Sequence, residues 1–332
     1  MFSRSTLTSR PRAMLKWLAR SLNTSNIPSD VTLKRSYLYV PSSSDRMLEK
    51  SLSTPSDMIV YDLEDSVPPS ASDKNTARER LASFLGRGDL PPPERVAVRV
   101  NDITTPFFKD DISRIVKSKS VGSLVLPKVH SAEDLDTVSA AIRAAAGNSL
   151  GFIASIESAR ASYNLGAIAA WKSEFGAPGG ALNALLFAAE DYCADTSILR
   201  SSSRQELLYT RSSIVIAAKA FGLEAIDMVC VNYKDLEYLE EECMDGRRLG
   251  FTGKQAIHPT QVDVIHSAFV PTPAEIERAA KIVHKMERSH ALNRGAAGLE
   301  GEMIDKPMIL QAEKILRIAK AARLEIPSIS GN

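Results

Sequence analysis

GFIASI, Gly151–Ile156, is a short apolar run interrupted by a single serine; it ends at Glu157 and Ser158 and leads into a stretch that reads as helix. Working outward, the same unit recurs at Ser36–Pro41, Asp57–Tyr61, Arg95–Val100 and Ser123–Leu126 before it, and at Ala184–Ala189, Ala225–Val231 and Phe251–Ile257 after it. Strands alternating with helices build a parallel sheet buried on both faces, and eight such units are the number that closes a (β/α)8 TIM barrel. In that fold the chemistry sits at the C-terminal strand ends. The reading therefore puts Glu64 and Asp65, Arg99, Lys128, Glu157, Glu190 and Asp191, and Lys254 with His258, around one mouth. A ring so rich in acids and bases points to an enzyme.

Composition agrees. A chain of 332 residues with 44% hydrophobic content can bury one large core. Its formal net charge of +1, with acids and bases interspersed, carries no electrostatic footprint of a nucleic-acid binder. Polar residues break every apolar stretch before it could span a bilayer, so no membrane partner is expected. Cys193, Cys230 and Cys243 are too few and too scattered for a disulfide framework or a structural zinc site.

Three segments are expected: residues 1–30, a barrel over 31–290, and a C-terminal lid and tail over 291–332. The first carries Arg4, Arg10, Arg12, Lys16 and Arg20 among many Ser and Thr, with no acid before Asp30. That is the composition of a mitochondrial transit peptide, with Met14, Leu15, Trp17, Leu18 and Leu22 as the apolar face of an amphipathic helix; a disordered basic tail is the alternative. Within the barrel, helices are expected over Ser72–Phe84, with a cap at its start, and over Arg204–Phe221, ending at Gly222. A helix from about Pro273 to Arg288 should complete the barrel. Gly295, Gly298 and Gly301 then mark a loop leading to Met303–Pro307 and a final amphipathic helix, which reads as a lid on a hinge or as a face packed on a neighbouring subunit.

LYVP at Leu38–Pro41, DLED at Asp62–Asp65, VRVN at Val98–Asn101, LPKV at Leu126–Val129, IES at Ile156–Ser158, AED at Ala189–Asp191, GFTGKQAIHP at Gly250–Pro259 and MID at Met303–Asp305 together resemble the citrate lyase β-subunit-like family of the HpcH/HpaI aldolase superfamily. Within it, the chain is most similar to the mitochondrial citramalyl-CoA lyases. The resemblance implies a homotrimeric barrel enzyme that uses Mg2+ to cleave or form a carbon–carbon bond beside an acyl-CoA thioester. Cleavage of (3S)-citramalyl-CoA to pyruvate and acetyl-CoA leads. Malyl-CoA or methylmalyl-CoA cleavage, malate-synthase-like condensation, thioester hydrolysis, and an inactive acyl-CoA-binding or assembly subunit are the alternatives.

Residue by residue, Glu157 and Asp191 match the family's metal ligands, a pair of hard oxygen donors suited to Mg2+. Each acid also sits where it could cap the next helix. Arg99 matches the substrate arginine, whose fork can hold a thioester oxygen or a carboxylate; an ion pair with Glu64 or Asp65 is the plainer role. Tyr39, Arg46, Lys50, Ile257 and His258 match positions that contact the CoA substrate. Arg46 and Lys50 stand four apart on one helix face. Asp305 matches a C-terminal acid/base brought to the active site of an adjacent subunit, and before Lys306-Pro307 it also reads as an N-cap. The chain departs from the family at Ser42, in place of glycine after LYVP, at Ala188 and Ala189, in place of two glycines, and at His130, where an acid is common.

Overall fold

Successive residues of a strand face opposite sides of the sheet, so strand parity decides which side chains reach the barrel interior. The computed structural model describes residues 32–145, 149–291, 297–299 and 302–329. The basic segment at the amino terminus lies outside the described residues. Eight parallel strands close a barrel in sequence order: β1 (Ser36–Pro41), β2 (Met58–Asp62), β3 (Val96–Arg99), β4 (Ser123–Leu126), β5 (Gly151–Ile156), β6 (Ala181–Phe187), β7 (Glu224–Asp227) and β8 (Gly253–Ala256). Closure comes from β8 against β1, with Ser36 opposite Lys254 and Tyr37 opposite Gln255. Gly253 is required at this seam: a Cβ there would lie 2.5 Å from the Lys34 carbonyl oxygen.

One parity row, Tyr37, Met58, Val60, Ala97, Val125, Ile153, Leu186 and Ile226, packs into a single cluster that fills the barrel. The opposite row, including Leu38, Ile59, Val98, Leu124, Phe152 and Leu185, packs against the surrounding helices in a larger cluster. Those helices are α1 (Asp45–Ser51), α2 (Ala71–Leu85), α3 (Phe108–Ile115), α4 (Ala132–Ala144), α5 (Ala159–Tyr163), α6 (Leu165–Ala170), α7 (Ala189–Thr196), α8 (Leu208–Ala220), α9 (Leu236–Leu249) and α10 (Gln261–Ala268). Leu81, Ile112, Leu135, Ile214, Leu239 and Ile265 are the helix residues that meet the sheet. The expected (β/α)8 barrel is thus the fold of this chain.

Helix boundaries differ from the sequence reading in instructive ways. α2 is capped by Ser70, which accepts the Asp73 N–H, so the helix begins ahead of Ser72. Arg204 does not start a helix: it is left-handed (φ 59°), and α8 proper follows a 3-10 turn at Gln205–Leu207. Gly222 does end that helix with φ 72°, while the Leu223 N–H reaches back to the Ala218 carbonyl.

Lys254 is the clear misplacement. On β8 it has the opposite parity to Gln255, so it points out of the barrel, fully buried, where it pairs with Glu242 of α9 at 2.8 Å and donates to the Met228 carbonyl at 2.6 Å. It is not at the mouth with His258. Glu242 also accepts from Arg200 at 2.7 Å, and Arg211 of α8 pairs with Asp227 at 2.7 Å beside them. These ions tie β7 and β8 to the helix layer.

Residues from Val270 onward form a second unit. α11 (Pro273–Ala291) packs on α12 (Lys306–Ala321) through Ile276, Ala280, Val283, Ala312, Leu316 and Ala319. The helix that completes the eighth barrel unit is therefore α10, ahead of the expected Pro273 start. The glycine-marked stretch carries a small antiparallel pair, β9 (Ala297–Leu299) and β10 (Glu302–Ile304), with Gly298 opposite Met303; Gly295 and Gly301 lie outside the described residues. Among the described residues no helix is long and apolar enough to cross a membrane.

Breaking a buried ion pair strands its partner and costs about 3–5 kcal/mol. Lys254→Met should therefore lower the unfolding free energy in urea by about 3 kcal/mol, as Glu242 keeps only Arg200. A loss below about 1 kcal/mol would mean that the pair behaves like a surface ion pair.

Candidate active site

The interior row ends at the C-terminal rim with polar groups where the strands below carried apolar ones. Asp62 closes β2 and Arg99 closes β3, side by side in register. Arg99 donates Nε and Nη2 to the two Asp62 oxygens at 2.7 Å each, and its Nη1 lies 2.9 Å from Glu64 and 3.1 Å from Asp65. The ring of Tyr39 lies 4.9 Å from the guanidinium carbon. Asp62 also accepts the Glu64 and Ser66 backbone N–H groups at 2.9 and 3.0 Å, so the loop after β2 wraps the same carboxylate. Burial would raise the Asp62 pKa, but Arg99 and these hydrogen bonds outweigh it and hold the carboxyl below its ordinary range.

Opposite this cation stand acids with too little compensation. Glu157, 7% exposed just beyond β5, accepts the Lys128 backbone N–H at 2.6 Å. Lys128 presents that N–H from a left-handed conformation (φ 51°), a strained choice for a non-glycine residue that aims the amide at the carboxylate. Burial, then the charges of Asp191 and Glu64, push the Glu157 pKa up to about 8 despite that hydrogen bond. Burial and Asp65 likewise raise Asp191, in the first turn of α7. Glu64 is pushed up to about 7, mainly by burial, against the pull of Arg99. Glu157 and Asp191 are hard oxygen donors whose ionised forms a divalent cation would relieve, so they fit such an ion. No group of three or more His, Cys, Asp and Glu side chains forms a closed cage among the described residues. Two carboxylates leave the other coordination positions to water and ligand oxygens.

A cavity of about 420 Å³ opens at this rim, lined by Tyr39, Asp62, Asp65, Arg99, Ala188, Asp191, Gln255 and Ile257, among others. The structure therefore brings Tyr39, Arg99, Asp191 and Ile257 together, with Glu157 adjoining. Ile257 is 42% exposed. His258 stacks on Tyr233 at 4.9 Å and bonds to Thr260 at 2.8 Å, at the rim but outside the cavity lining. Arg46 and Lys50 are exposed on α1 and do not line the cavity. Glu190 also lines the cavity and pairs with Arg200. Asp305, in the second unit, is the exposed N-cap of α12 and accepts the Met308 N–H at 3.2 Å.

Two groups escaped the sequence reading. Asp62 appeared there only as the first letter of a motif, although its place at a strand end beside Arg99 marks it as that arginine's counter-ion. Gln255 was hidden behind Lys254; strand parity, counted back from Ala256, separates them. The family departures are accommodated. Ser42 is buried, avoids the left-handed region and donates its N–H to the Asp62 carbonyl. His130 bonds through Nδ1 to Ser158, the α5 cap next to Glu157, at 2.8 Å.

A sequence profile of the HpcH/HpaI aldolase/citrate lyase family matches residues 35–259. The chain belongs to this family. The mitochondrial citramalyl-CoA lyase of Homo sapiens is 33% identical over 297 residues, 87% of this chain and 86% of that one. Citrate lyase subunit beta of Leuconostoc mesenteroides subsp. cremoris is 33% identical over 298 residues, 88% and 95% of the two chains. Among solved structures, CitE from Mycobacterium tuberculosis in complex with magnesium, acetoacetate and coenzyme A superposes with a TM-score of 0.70 at 28% identity, covering 87% of this chain and 98% of that one. Membership of the HpcH/HpaI family makes this protein a carbon–carbon lyase.

Because Asp62 has a depressed pKa in the folded state, its ionised form stabilises the fold above the unfolded value and that contribution is lost as pH falls through the folded one. Asp62→Asn should be less stable by roughly 2 kcal/mol or more at neutral pH. In urea melts at several pH values the gap should persist above about pH 4 and close below it.

Proposed function

We propose that this protein cleaves (3S)-citramalyl-CoA to pyruvate and acetyl-CoA. The observation that carries the reading is the opposition, at one mouth, of a fixed guanidinium to two under-compensated carboxylates in a carbon–carbon lyase fold. Glu157 and Asp191 would hold Mg2+, which when bound supplies Lewis-acid stabilisation to substrate oxygens. Arg99 has its Nε and one Nη2 proton fixed on Asp62 and its Nη1 paired with Glu64 and Asp65; at the cavity wall, its second Nη2 proton is assigned to the enolate oxygen of the thioester fragment. In the reaction a general base takes the 3-hydroxyl proton, the hydroxyl carbon becomes the carbonyl of pyruvate, and the C2–C3 electron pair passes to the thioester as an enolate. Asp305 then returns a proton to C2, giving the methyl group of acetyl-CoA. Its N-cap bond to Met308 fixes the carboxyl against the backbone. Arg46 and Lys50, exposed on α1, and the loop of Ile257 and His258 are assigned to the CoA moiety.

Self-assembly as a trimer that shares the C-terminal segment belongs to the same proposal. Support comes from the large apolar side chains exposed on the barrel, Tyr163, Leu199, Tyr209 and Ile216, which a neighbouring subunit would cover. Residence in the mitochondrial matrix rests on the basic composition of the amino-terminal segment, with no acid before Asp30, and on the similarity to the mitochondrial lyase of Homo sapiens.

The test is release of both products from a panel of CoA esters with and without Mg2+. Citramalyl-CoA should give pyruvate and acetyl-CoA in equal amounts, EDTA should stop the reaction, and Asp305→Asn should slow turnover by about 100-fold or more while CoA-ester affinity stays unchanged. Release of free CoA in place of acetyl-CoA would show thioester hydrolysis instead.

A further inference from the structure

Gln255 is a residue to which the proposed chemistry gives no part, yet its bonding is fully determined. It is 4% exposed and lies on the interior parity row of β8. Its Nε2 donates to the Phe187 carbonyl at 2.9 Å and to the Asp227 carbonyl at 3.1 Å, the last residues of β6 and β7. Both amide protons are thereby taken up by backbone acceptors. Turning the amide over would set its oxygen against two carbonyl oxygens, so the hydrogen-bond network admits one orientation. In that orientation Oε1 faces the cavity and lies 3.0 Å from the Tyr39 hydroxyl. An amide oxygen can only accept. The Tyr39 proton must therefore point at Gln255.

A phenol has one proton and an oxygen that also accepts. With the proton held on Gln255, Tyr39 can offer the cavity only its lone pairs. Burial raises the Tyr39 pKa even against the pull of Arg99, so the hydroxyl stays protonated and the direction of the bond is kept. Arg99, stacked on the same ring at 4.9 Å, is the complementary group, a donor with no acceptor. Of these two stacked neighbours, Tyr39 accepts and Arg99 donates.

We infer that Gln255 is a positioning residue that makes Tyr39 a hydrogen-bond acceptor in the active site, so that Tyr39 selects a donor group of the CoA ester, an O–H or an N–H, while Arg99 takes its acceptor oxygens. This rests on the CoA-ester reading above and adds to it a residue and a rule of recognition. Two parts of such a ligand carry the required chemistry: a hydroxyl on the acyl chain and an amide N–H of the pantetheine arm. A ketone or carboxylate oxygen placed against Tyr39 would meet lone pairs on lone pairs.

Affinities for 3-hydroxybutyryl-CoA, acetoacetyl-CoA and butyryl-CoA, measured by calorimetry on the full chain, test this without turnover. Tyr39→Phe should weaken 3-hydroxybutyryl-CoA about 5- to 10-fold and leave acetoacetyl-CoA unchanged if the donor is the acyl hydroxyl. Equal weakening of all three esters would assign the donor to the pantetheine arm, and the inference stands in either case. Where the donor is the acyl hydroxyl, Gln255→Met should do what a merely structural change does not: with its proton freed, Tyr39 can donate, and the preference should turn toward acetoacetyl-CoA. That turn should vanish in the Tyr39→Phe/Gln255→Met double variant, the non-additivity expected of two residues acting as one unit. Uniform weakening by Gln255→Met that adds to the effect of Tyr39→Phe would overturn the positioning role. Should Gln255→Met fail to fold by circular dichroism, the Tyr39→Phe arm decides: no change with any ester, or weakening of acetoacetyl-CoA alone, overturns the inference. Failure of the unmodified protein to bind any of the three esters would instead bring down the CoA-ester reading, and the inference with it.

Discussion

Arg99 and Asp62 meet through two parallel contacts of 2.7 Å at the adjoining ends of β3 and β2, and the working geometry of the mouth extends from that fork. One carboxylate does two jobs: it holds the guanidinium in a plane and, through the Glu64 and Ser66 amides, folds the loop after β2 around itself. The fixed guanidinium then stacks on Tyr39, whose hydroxyl is held by Gln255, whose amide is held by the ends of β6 and β7. A continuous set of directed contacts thus joins six of the strands at the rim. Charge-assisted and bidentate bonds are the strong members of such a set, and they confine orientation as well as distance.

The same barrel carries two ionic layers that obey opposite rules. Outside the sheet, Lys254, Arg200 and Arg211 face Glu242, Asp227 and Asp245 in near balance, and the carboxyl pKa values of Glu242 and Asp245 are lowered in spite of burial. Taking an ion out of water costs several kcal/mol, so a layer that exists to hold helices to strands has to be matched. Inside, Arg99 and Lys128 face Asp62, Glu64, Asp65, Glu157 and Asp191, and Glu64, Glu157 and Asp191 are raised. That imbalance costs stability in the protein alone and becomes favourable only when a positive charge joins the acids. Sites that keep such a deficit are where function is to be sought.

Barrel architecture was legible because period and length act together: runs too short for helices and too apolar for loops leave little choice, and GFIASI became β5 with the expected bounds. Arg99, Glu157 and Asp191 were legible as residues at strand ends, since the fold sends those positions to one rim. Lys254 was misread because proximity to the strand end was taken without parity; one step along β8 exchanges the cavity for the helix layer. Gln255 was missed for a related reason, as a neutral amide among charged residues gives no composition signal, and its importance lies in which backbone carbonyls it meets. One cap was misplaced by two residues where serines compete, Ser70 taking the place of Ser72. The second unit was harder still: Asp305 reads identically as cap and as acid, and its N-cap bond to Met308 is compatible with both.

Arg99 is thus a fork held by Asp62 at the cavity wall, to which the proposed function assigns the enolate, while it assigns metal binding to other residues. Arg99→Lys separates the two roles directly, because lysine keeps the charge and loses the planar fork. Turnover of citramalyl-CoA and the Mg2+-induced rise in melting temperature should be measured on the same preparation. The predicted result is turnover slowed by about 100-fold or more with the Mg2+ shift intact, whereas turnover within a few-fold of the unmodified protein would contradict the assignment of the fork to catalysis.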